Sequence, residues 1–368
     1  MATPYSSVRA ERVRAHAFTV PTDKPEADGT MAWDSTTLIV VGIEAAGHTG
    51  FGYTYTHACI GSLIEGKLAE VVRAHDVMDI PACWRGMRRA VRNMGAEGLA
   101  ANAISAIDGA LWDLKGKLLD LPVATLLGQC REAVPIYGSG GFTTYTDEEL
   151  RDQLRGWIER DGCRWVKMKI GTHPQQDPHR VAVAREAVGE RGLFVDANGA
   201  YDASKALQYA DIFARDAGVA WFEEPVTSDD LDSLRLMRGR APAGMEIAAG
   251  EYAYRPEYVG HMLAARAVDV QQADVTRCLG ITGFLRAAAL CEAHMTDISG
   301  HCAPTLHLHV ACAAPRLRHL EWFHDHVRIE HMLFDGAPVA RDGAIRPDLS
   351  RPGLGFDIRW QDAERYRV

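Results

Sequence analysis

Trp165-Val-Lys-Met-Lys-Ile170, Leu193-Phe-Val-Asp-Ala-Asn198 and Ala220-Trp-Phe-Glu-Glu-Pro225 share one grammar. Each is a short apolar run that closes on ionisable residues, and an amphipathic stretch follows it. In the first, Lys167 and Lys169 stand at i and i+2 and share one face of a strand, while the apolar three share the other. The pattern recurs along the chain. Candidate strands are Val134–Tyr137, Trp165–Ile170, Leu193–Asp196, Ala220–Glu223, Glu246–Ala249, Val268–Gln271, Asp297–Ser299 and Leu317–Trp322. Their polar ends are marked by Lys169, Asp196, Glu223, Glu251, Asp274, His301 and Glu321, spaced by 20 to 28 residues. That step is one βα unit, so the spacing predicts a (β/α)-type barrel with its active site where the strands end.

Outward from this core the pattern changes. Residues 1–60 alternate as strands do, over Val8 to Val20, Thr36 to Ile43 and Gly50 to Tyr55. Pro21 to Asp34, polar and holding two prolines and a glycine, reads as a long loop of the kind that serves as a lid. Residues 61–130 read as helices. Ile104, Ile107, Leu111, Leu114 and Leu118 mark the clearest, over Ala103 to Leu119. The last forty residues, rich in glycine and proline, read as strands and turns that return to the first segment.

Composition narrows the function classes. The chain has 368 residues, 47% hydrophobic and 24% charged, so a large core needs no disulfide staple. A net charge of -9 argues against a nucleic-acid partner. The apolar runs fall far short of a membrane span. The eight cysteines form no C-x-x-C pair, which argues against a zinc finger or a redox motif and suits a reducing cytosol. No secretory h-region opens the chain, so a cytoplasmic protein is expected.

The strand ends carry the chemistry. Asp196, Glu223 and Glu251 lie on successive strands. Carboxylates converging at one place repel unless a cation neutralises them, and oxygen ligands of this kind suit Mg2+. Solvated carboxylates at loop starts are the alternative for any one of them; three in register favour the cation. Strand alternation sends one of the two glutamates of Phe222–Pro225 inward. The expectation is Glu223, with Glu224 pointing to the outer helices or opening the loop before Pro225. Lys169 is expected as a base, its pKa lowered by the metal and a second ammonium. Lys167 would neutralise a substrate carboxylate or help depress Lys169. Asn198 is either a polar helper or half of an Asn-Gly turn with Gly199. Asp274 and His301 end neighbouring strands, where a carboxylate fixes the tautomer of an imidazole and raises its basicity. Glu321 would donate a hydrogen bond to a substrate carboxylate if burial raised its pKa, or else would pair with a lysine. His307, His309, His324 and His326 receive no role.

These residues resemble the enolase superfamily, in its mandelate racemase-like subgroup. The resemblance is carried by Lys167-Met-Lys169, Asp196-Ala-Asn198, Phe222-Glu-Glu-Pro225, Gly250-Glu251, Gln272-Ala-Asp-Val-Thr-Arg277, Ser299-Gly-His301 and His319-Leu-Glu321, and by the helix around Ala106 to Lys115. It implies an α/β fold, a modified TIM barrel of (β/α)7β form. Residues 1–130 would form an α+β capping domain with a lid at about 21–34. Residues 131–325 would form the barrel, and 326–368 would return to the cap. It also implies Mg2+ on Asp196, Glu223 and Glu251, Lys169 as base, and a His301–Asp274 dyad on the other face. A homo-oligomer is implied as well. The sequence departs from the family where Cys278-Leu-Gly280 replaces a Gly-Gly pair, and where Arg277 takes a site that is lysine in some relatives.

With bases on both faces, abstraction of an α-proton through an enediolate has two outcomes. Loss of a β-hydroxyl, assisted by His301, dehydrates an aldonic or aldaric acid to a 2-keto-3-deoxy acid. Reprotonation on the far face racemises or epimerises a 2-hydroxy acid. The lid, with Thr22, Asp23, Lys24, Glu26, Asp28, Thr30, Trp33 and Asp34, favours a polyhydroxy substrate. Substrate contacts are expected from Asn198, Arg277, Trp33 and Lys24. A non-catalytic barrel would show a broken ligand or base, and none is broken here.

Overall fold

The computed structural model describes residues 7–368. Eight parallel strands close into a barrel: β4 (Val134–Gly140), β5 (Trp165–Lys169), β6 (Gly192–Asp196), β7 (Val219–Glu223), β8 (Glu246–Ala249), β9 (Val270–Ala273), β10 (Asp297–Gly300) and β11 (Leu317–Phe323). Each pairs with the next, and β11 pairs back onto β4 through Leu320↔Ile136 to Phe323↔Ser139. One longer helix of the outer ring, seven in all, lies between each consecutive pair, which gives the (β/α)7β order. Local sequence sets where these helices start. Thr146 and Glu149 form a reciprocal capping box, Asp202 and Asp230 cap with their side chains, and Pro256 and Pro304 sit in first turns.

Period-two alternation divides the barrel interior into a floor and a roof. Tyr137, Phe194, Trp221 and His319 pack together below, with Phe194 and Trp221 stacked at 5.1 Å. Two residues further along the same strands stand Ser139, Asp196, Glu223 and Glu321, all buried. The aromatic floor thus holds the ionisable layer in place at the strand ends. β9 begins two residues later than the sequence pattern suggested, because Val268 and Asp269 are spent on the connection from the preceding helix.

Before the barrel, β1 (Arg12–Ala27), β2 (Ala32–Ala45) and β3 (His48–Tyr55) form an antiparallel sheet. The helix Leu99–Leu119 lies across it, buried along nearly its whole length. The approach is so close that a Cβ on Gly50 or Gly52 would collide with the carbonyls of Ala110 and Ala106. After β11 the helix His324–Leu333 leads into short strands. One of these, Ala344–Ile345, pairs with the start of β4. The chain ends back on β1, with the Val368 amide donating to Ala17 O at 3.1 Å and Arg367 over the Phe18 ring.

The lid corrects the sequence reading. Residues 21–34 are not a long loop but the outer half of the β1–β2 hairpin, turning at 28–31. Two prolines suggested a loop. β1 is an edge strand, where proline leaves no donor missing, and the register shift between Pro21 and Glu26 absorbs the rest. Asp28 closes the tip, its Oδ1 accepting from the amides of Thr30 and Met31 at 2.6 and 2.8 Å. The hairpin reaches the barrel mouth. Thr143 and Thr172 donate to Asp28 O, Thr144 donates to Pro25 O, and Asp23 pairs with His324. Among the described residues, no helix is long and apolar enough to cross a membrane.

Candidate active site

β-Ladder register places Lys169, Asp196 and Glu223 side by side at the barrel top. Glu251 follows β8 after Gly250 and turns into the same space. Ligand oxygens of Asp196, Glu223 and Glu251 all lie within 4.8 Å of one another, and all three side chains are buried. Lys169 Nζ stands 2.6 Å from Asp196 Oδ2. Lys167 Nζ stands 2.5 Å from Glu223 Oε1, 2.8 Å from Glu321 Oε1 and 3.5 Å from Asp196 Oδ2, with its ammonium over the Tyr137 ring. Trp221 donates to Glu223 Oε2 at 2.9 Å.

On the other flank, His301 Nδ1 is 2.8 Å from Asp274 Oδ2, and His301 Nε2 is 3.2 Å from Glu251 Oε2. Arg277 joins the two flanks, 3.2 Å from Glu251 Oε1 and 3.5 Å from Asp274 Oδ2, with its guanidinium over Tyr252. Lysine and imidazole therefore approach one carboxylate cluster from two sides, Lys169 at Asp196 and His301 at Glu251.

Several expectations change at this resolution of detail. Burial and the neighbouring Lys167 resist the charge of Lys169, and Asp196 at hydrogen-bond distance, together with Glu251 and Glu321, raises its pKa; the expected lowering takes a cation on these carboxylates. Lys167 is sealed among three carboxylates rather than open to a substrate. Glu321 is not a protonated donor. Burial resists its charge, but Lys167 and His301 hold its pKa well below the usual range. It accepts instead, from Ser139 at 2.6 Å and from the Cys302 amide at 3.1 Å. Glu224 opens the loop after β7, but its carboxylate does not point to the outer helices. Its backbone is left-handed, φ +37°, which breaks the alternation and buries a second carboxylate beside the first. Burial and the nearby Glu251, Asp196 and Glu223 push its pKa up.

Asn198 (φ +47°) and Gly199 (φ +75°) form the turn that the sequence left open. The Asn198 amide donates to Asp196 Oδ1 at 2.9 Å and so holds that carboxylate. Trp33 reaches the rim of the site, where it packs with Phe142, Tyr145, Cys302 and Phe323 and donates to Glu26 at 2.8 Å. Lys24 is not brought into this group; it pairs with Glu149 on the outer flank at 2.7 Å. Sequence reasoning missed Glu224, Ser139, Trp221 and Cys302. Ser139 and Trp221 were within reach of the i, i+2 rule. Glu224 and Cys302 depend on left-handed backbone that no spacing reveals.

The charge balance asks for a cation. Six buried carboxylates, Asp196, Glu223, Glu224, Glu251, Asp274 and Glu321, gather around Lys167, Lys169, Arg277 and the imidazole of His301. Burial and Asp196 together push the pKa of Glu223 up to about 8. Buried oxygens of Glu224 and Asn198 have no hydrogen-bond partner. An all-oxygen donor set with excess negative charge and unused lone pairs fits a hard dication.

Comparison with known proteins follows the same outline. Residues 13–128 match the N-terminal domain of mandelate racemase/muconate lactonizing enzymes, and 149–363 match an enolase C-terminal domain-like family. The chain is 31% identical to a 3,6-anhydro-alpha-L-galactonate cycloisomerase of Streptomyces coelicolor, over 97% of this chain and 99% of that one. It is 32% identical to the L-talarate/galactarate dehydratase of Salmonella typhimurium, over 86% of this chain and 78% of that one. A crystal structure of that dehydratase, liganded with Mg and L-lyxarohydroxamate, superposes with a TM-score of 0.89 at 28% identity, covering 100% and 96% of the two chains. A mandelate racemase/muconate lactonizing enzyme-like protein from Rubrobacter xylanophilus superposes with a TM-score of 0.95 at 49% identity, covering 98% of this chain and 100% of that one.

Proposed function

The chain belongs to the mandelate racemase/muconate lactonizing enzyme family of the enolase superfamily, and on that premise we propose that it is a Mg2+-dependent acid-sugar dehydratase. Its relatives are dehydratases and cycloisomerases, so it is a lyase or an isomerase. The two-sided approach of Lys169 and His301 to one carboxylate cluster carries the α-proton chemistry, and the acid-sugar dehydratases among its relatives favour dehydration as its outcome.

Asp196, Glu223 and Glu251 would hold the Mg2+. Bound there, it would gather the negative charge that develops on a substrate carboxylate as the α-proton leaves. Lys169, on the Asp196 side, would take that proton at Nζ as the neutral amine, a form that a dication on Asp196 favours by drawing on the carboxylate that otherwise holds the ammonium. His301, on the Glu251 side, carries a proton at Nε2 to the departing β-hydroxyl. Asp274 accepts from Nδ1 and so fixes the tautomer and aim of the ring. Lys167 and Glu321 meet no substrate in this scheme; they hold Glu223 and Asp196 in place from below. Burial of the whole group excludes water, which strengthens each of these electrostatic terms. The hairpin closes the mouth, and its tip carbonyl is already engaged by Thr143 and Thr172.

The same two-sided arrangement supports a racemase or epimerase as the second reading, with His301 delivering its proton to Cα. Incubation of the Mg2+-loaded protein with aldonic, aldaric and simple 2-hydroxy acids separates the two. A 2-keto-3-deoxy product from one of the sugar acids is expected. An epimer formed without any keto acid would overturn dehydration in favour of the second reading.

A further inference from the structure

Cys302 has no part in the scheme above, yet its thiol sits inside the site. Its backbone is left-handed at φ +54°, and Ala303 follows at φ +42°. On an extended strand the residue after His301 would turn to the opposite face. Here the left-handed step swings the thiol back beside the imidazole. Cys302 Sγ lies 3.4 Å from His301 Nε2 and 3.3 Å from Glu321 Oε2, and those two atoms lie 3.5 Å apart. All three residues are buried.

This triangle has the dimensions of three ligands on one tetrahedral ion. Bonds of about 2.0–2.3 Å to zinc place neighbouring ligand atoms roughly 3.3–3.8 Å apart. The rest of each residue is already tied down. Glu321 Oε1 is taken by Lys167 and Ser139, which leaves Oε2 facing the triangle. Asp274 holds His301 Nδ1, as a carboxylate commonly does behind a metal-binding histidine. Thiolate, imidazole and carboxylate together form a soft donor set, unlike the oxygen-only cluster beside it, and such a set selects Zn2+ or Cd2+ over Mg2+.

We propose that His301, Cys302 and Glu321 form a second metal site that takes a thiophilic dication, and that occupancy there silences His301 by claiming its Nε2 lone pair. On binding, the thiol and the imidazolium Nε2 each give up a proton to solvent, and metal–sulfur and metal–nitrogen bonds form, with no change of oxidation state. Metal capture rests on the geometry alone. Only the inhibitory consequence rests on the role given to His301 under the proposed function.

The test is a titration of the Mg2+-loaded wild-type protein with Cd2+, read by the ultraviolet charge-transfer absorption of a cadmium–thiolate bond, beside Cys302→Ser. The exposed Cys59 and Cys130 contribute equally to both proteins. A band present in wild type and lost from the variant is expected, with Zn2+ inhibition weakened by about tenfold or more in the variant. Equal bands and equal Zn2+ sensitivity would overturn the site. Should the variant not fold, the zinc-edge X-ray absorption spectrum of the wild-type protein decides: sulfur and nitrogen neighbours support the site, and an oxygen-only shell overturns it. Neither the cadmium–thiolate band nor the zinc-edge spectrum needs turnover. An inactive protein that shows the band therefore contradicts the proposed function, whereas an active dehydratase without it contradicts the site.

Discussion

Lys167 shows how a single charge organises its surroundings. It is fully buried, and its ammonium touches Glu223, Glu321 and Asp196 from beneath. Lys167→Met would keep much of the volume and leave those carboxylates facing each other. Breaking a buried pair from one side costs about 3–5 kcal/mol, so a drop of that size in unfolding free energy is expected by denaturant titration. Stability equal to wild type would show that the lysine does not hold the cluster. At this scale the sequence was legible in part. Alternation and spacing placed Lys167, Lys169, Asp196, Glu223 and Asp274 at the barrel top. Protonation was not legible, because the pKa values of Lys169 and Glu321 depend on which partner lies within 3 Å. Nor was the inward turn of Glu224, which follows from its left-handed backbone.

Among the elements, the strands and helices of the barrel could be read because polar residues recur at or just after the ends of β5 to β11, and because several helices open on a capping side chain or a first-turn proline. The hairpin could not, since Pro21 and Pro25 signal a break wherever the strand is not known to lie at an edge. Its docking is narrow. A Cβ at Gly29 would strike the carbonyls of Ala197 and Ile170, so the tip seats on the loops after β5 and β6 only with glycine there. Gly29→Ala is expected to lift the tip, making the hairpin more open to limited proteolysis. Because small displacements from a reactive arrangement are costly, kcat/KM should fall by roughly tenfold to a hundredfold. Wild-type kinetics together with wild-type protease resistance would mean that the hairpin is not the lid.

The molecule as a whole carries two sets of buried titratable groups away from the carboxylate cluster. Burial pushes Glu26 up to about 9, and Asp108 and Glu330 up to about 7. Each keeps its proton in the folded protein after the unfolded chain has lost it, so the stability it contributes declines as pH rises toward the folded value. Burial lowers His309 to about 4, and His319 and His326 to about 3. These act in the opposite sense, and their effect ends near the ordinary histidine value. The two sets offset each other in mild acid. Between pH 7 and 9 Glu26 still titrates, and its own contribution to stability should fall by about 1.4 kcal/mol per pH unit. Glu26→Gln keeps an acceptor for Trp33 and should make the slope in chemical denaturation shallower by that amount; an unchanged slope would contradict the assignment. The division of the barrel into an aromatic floor and an ionisable roof makes such burial of charge tolerable, and it points to one central claim, that Lys169 and His301 work on opposite faces of one bound acid. Proton NMR in D2O with Mg2+ and an accepted acid sugar tests this most directly. Lys169→Ala should lose deuterium exchange at Cα on its own face, and His301→Asn should keep that exchange but form no keto acid. Exchange at the wild-type rate in Lys169→Ala, or undiminished dehydration in His301→Asn, would contradict the account.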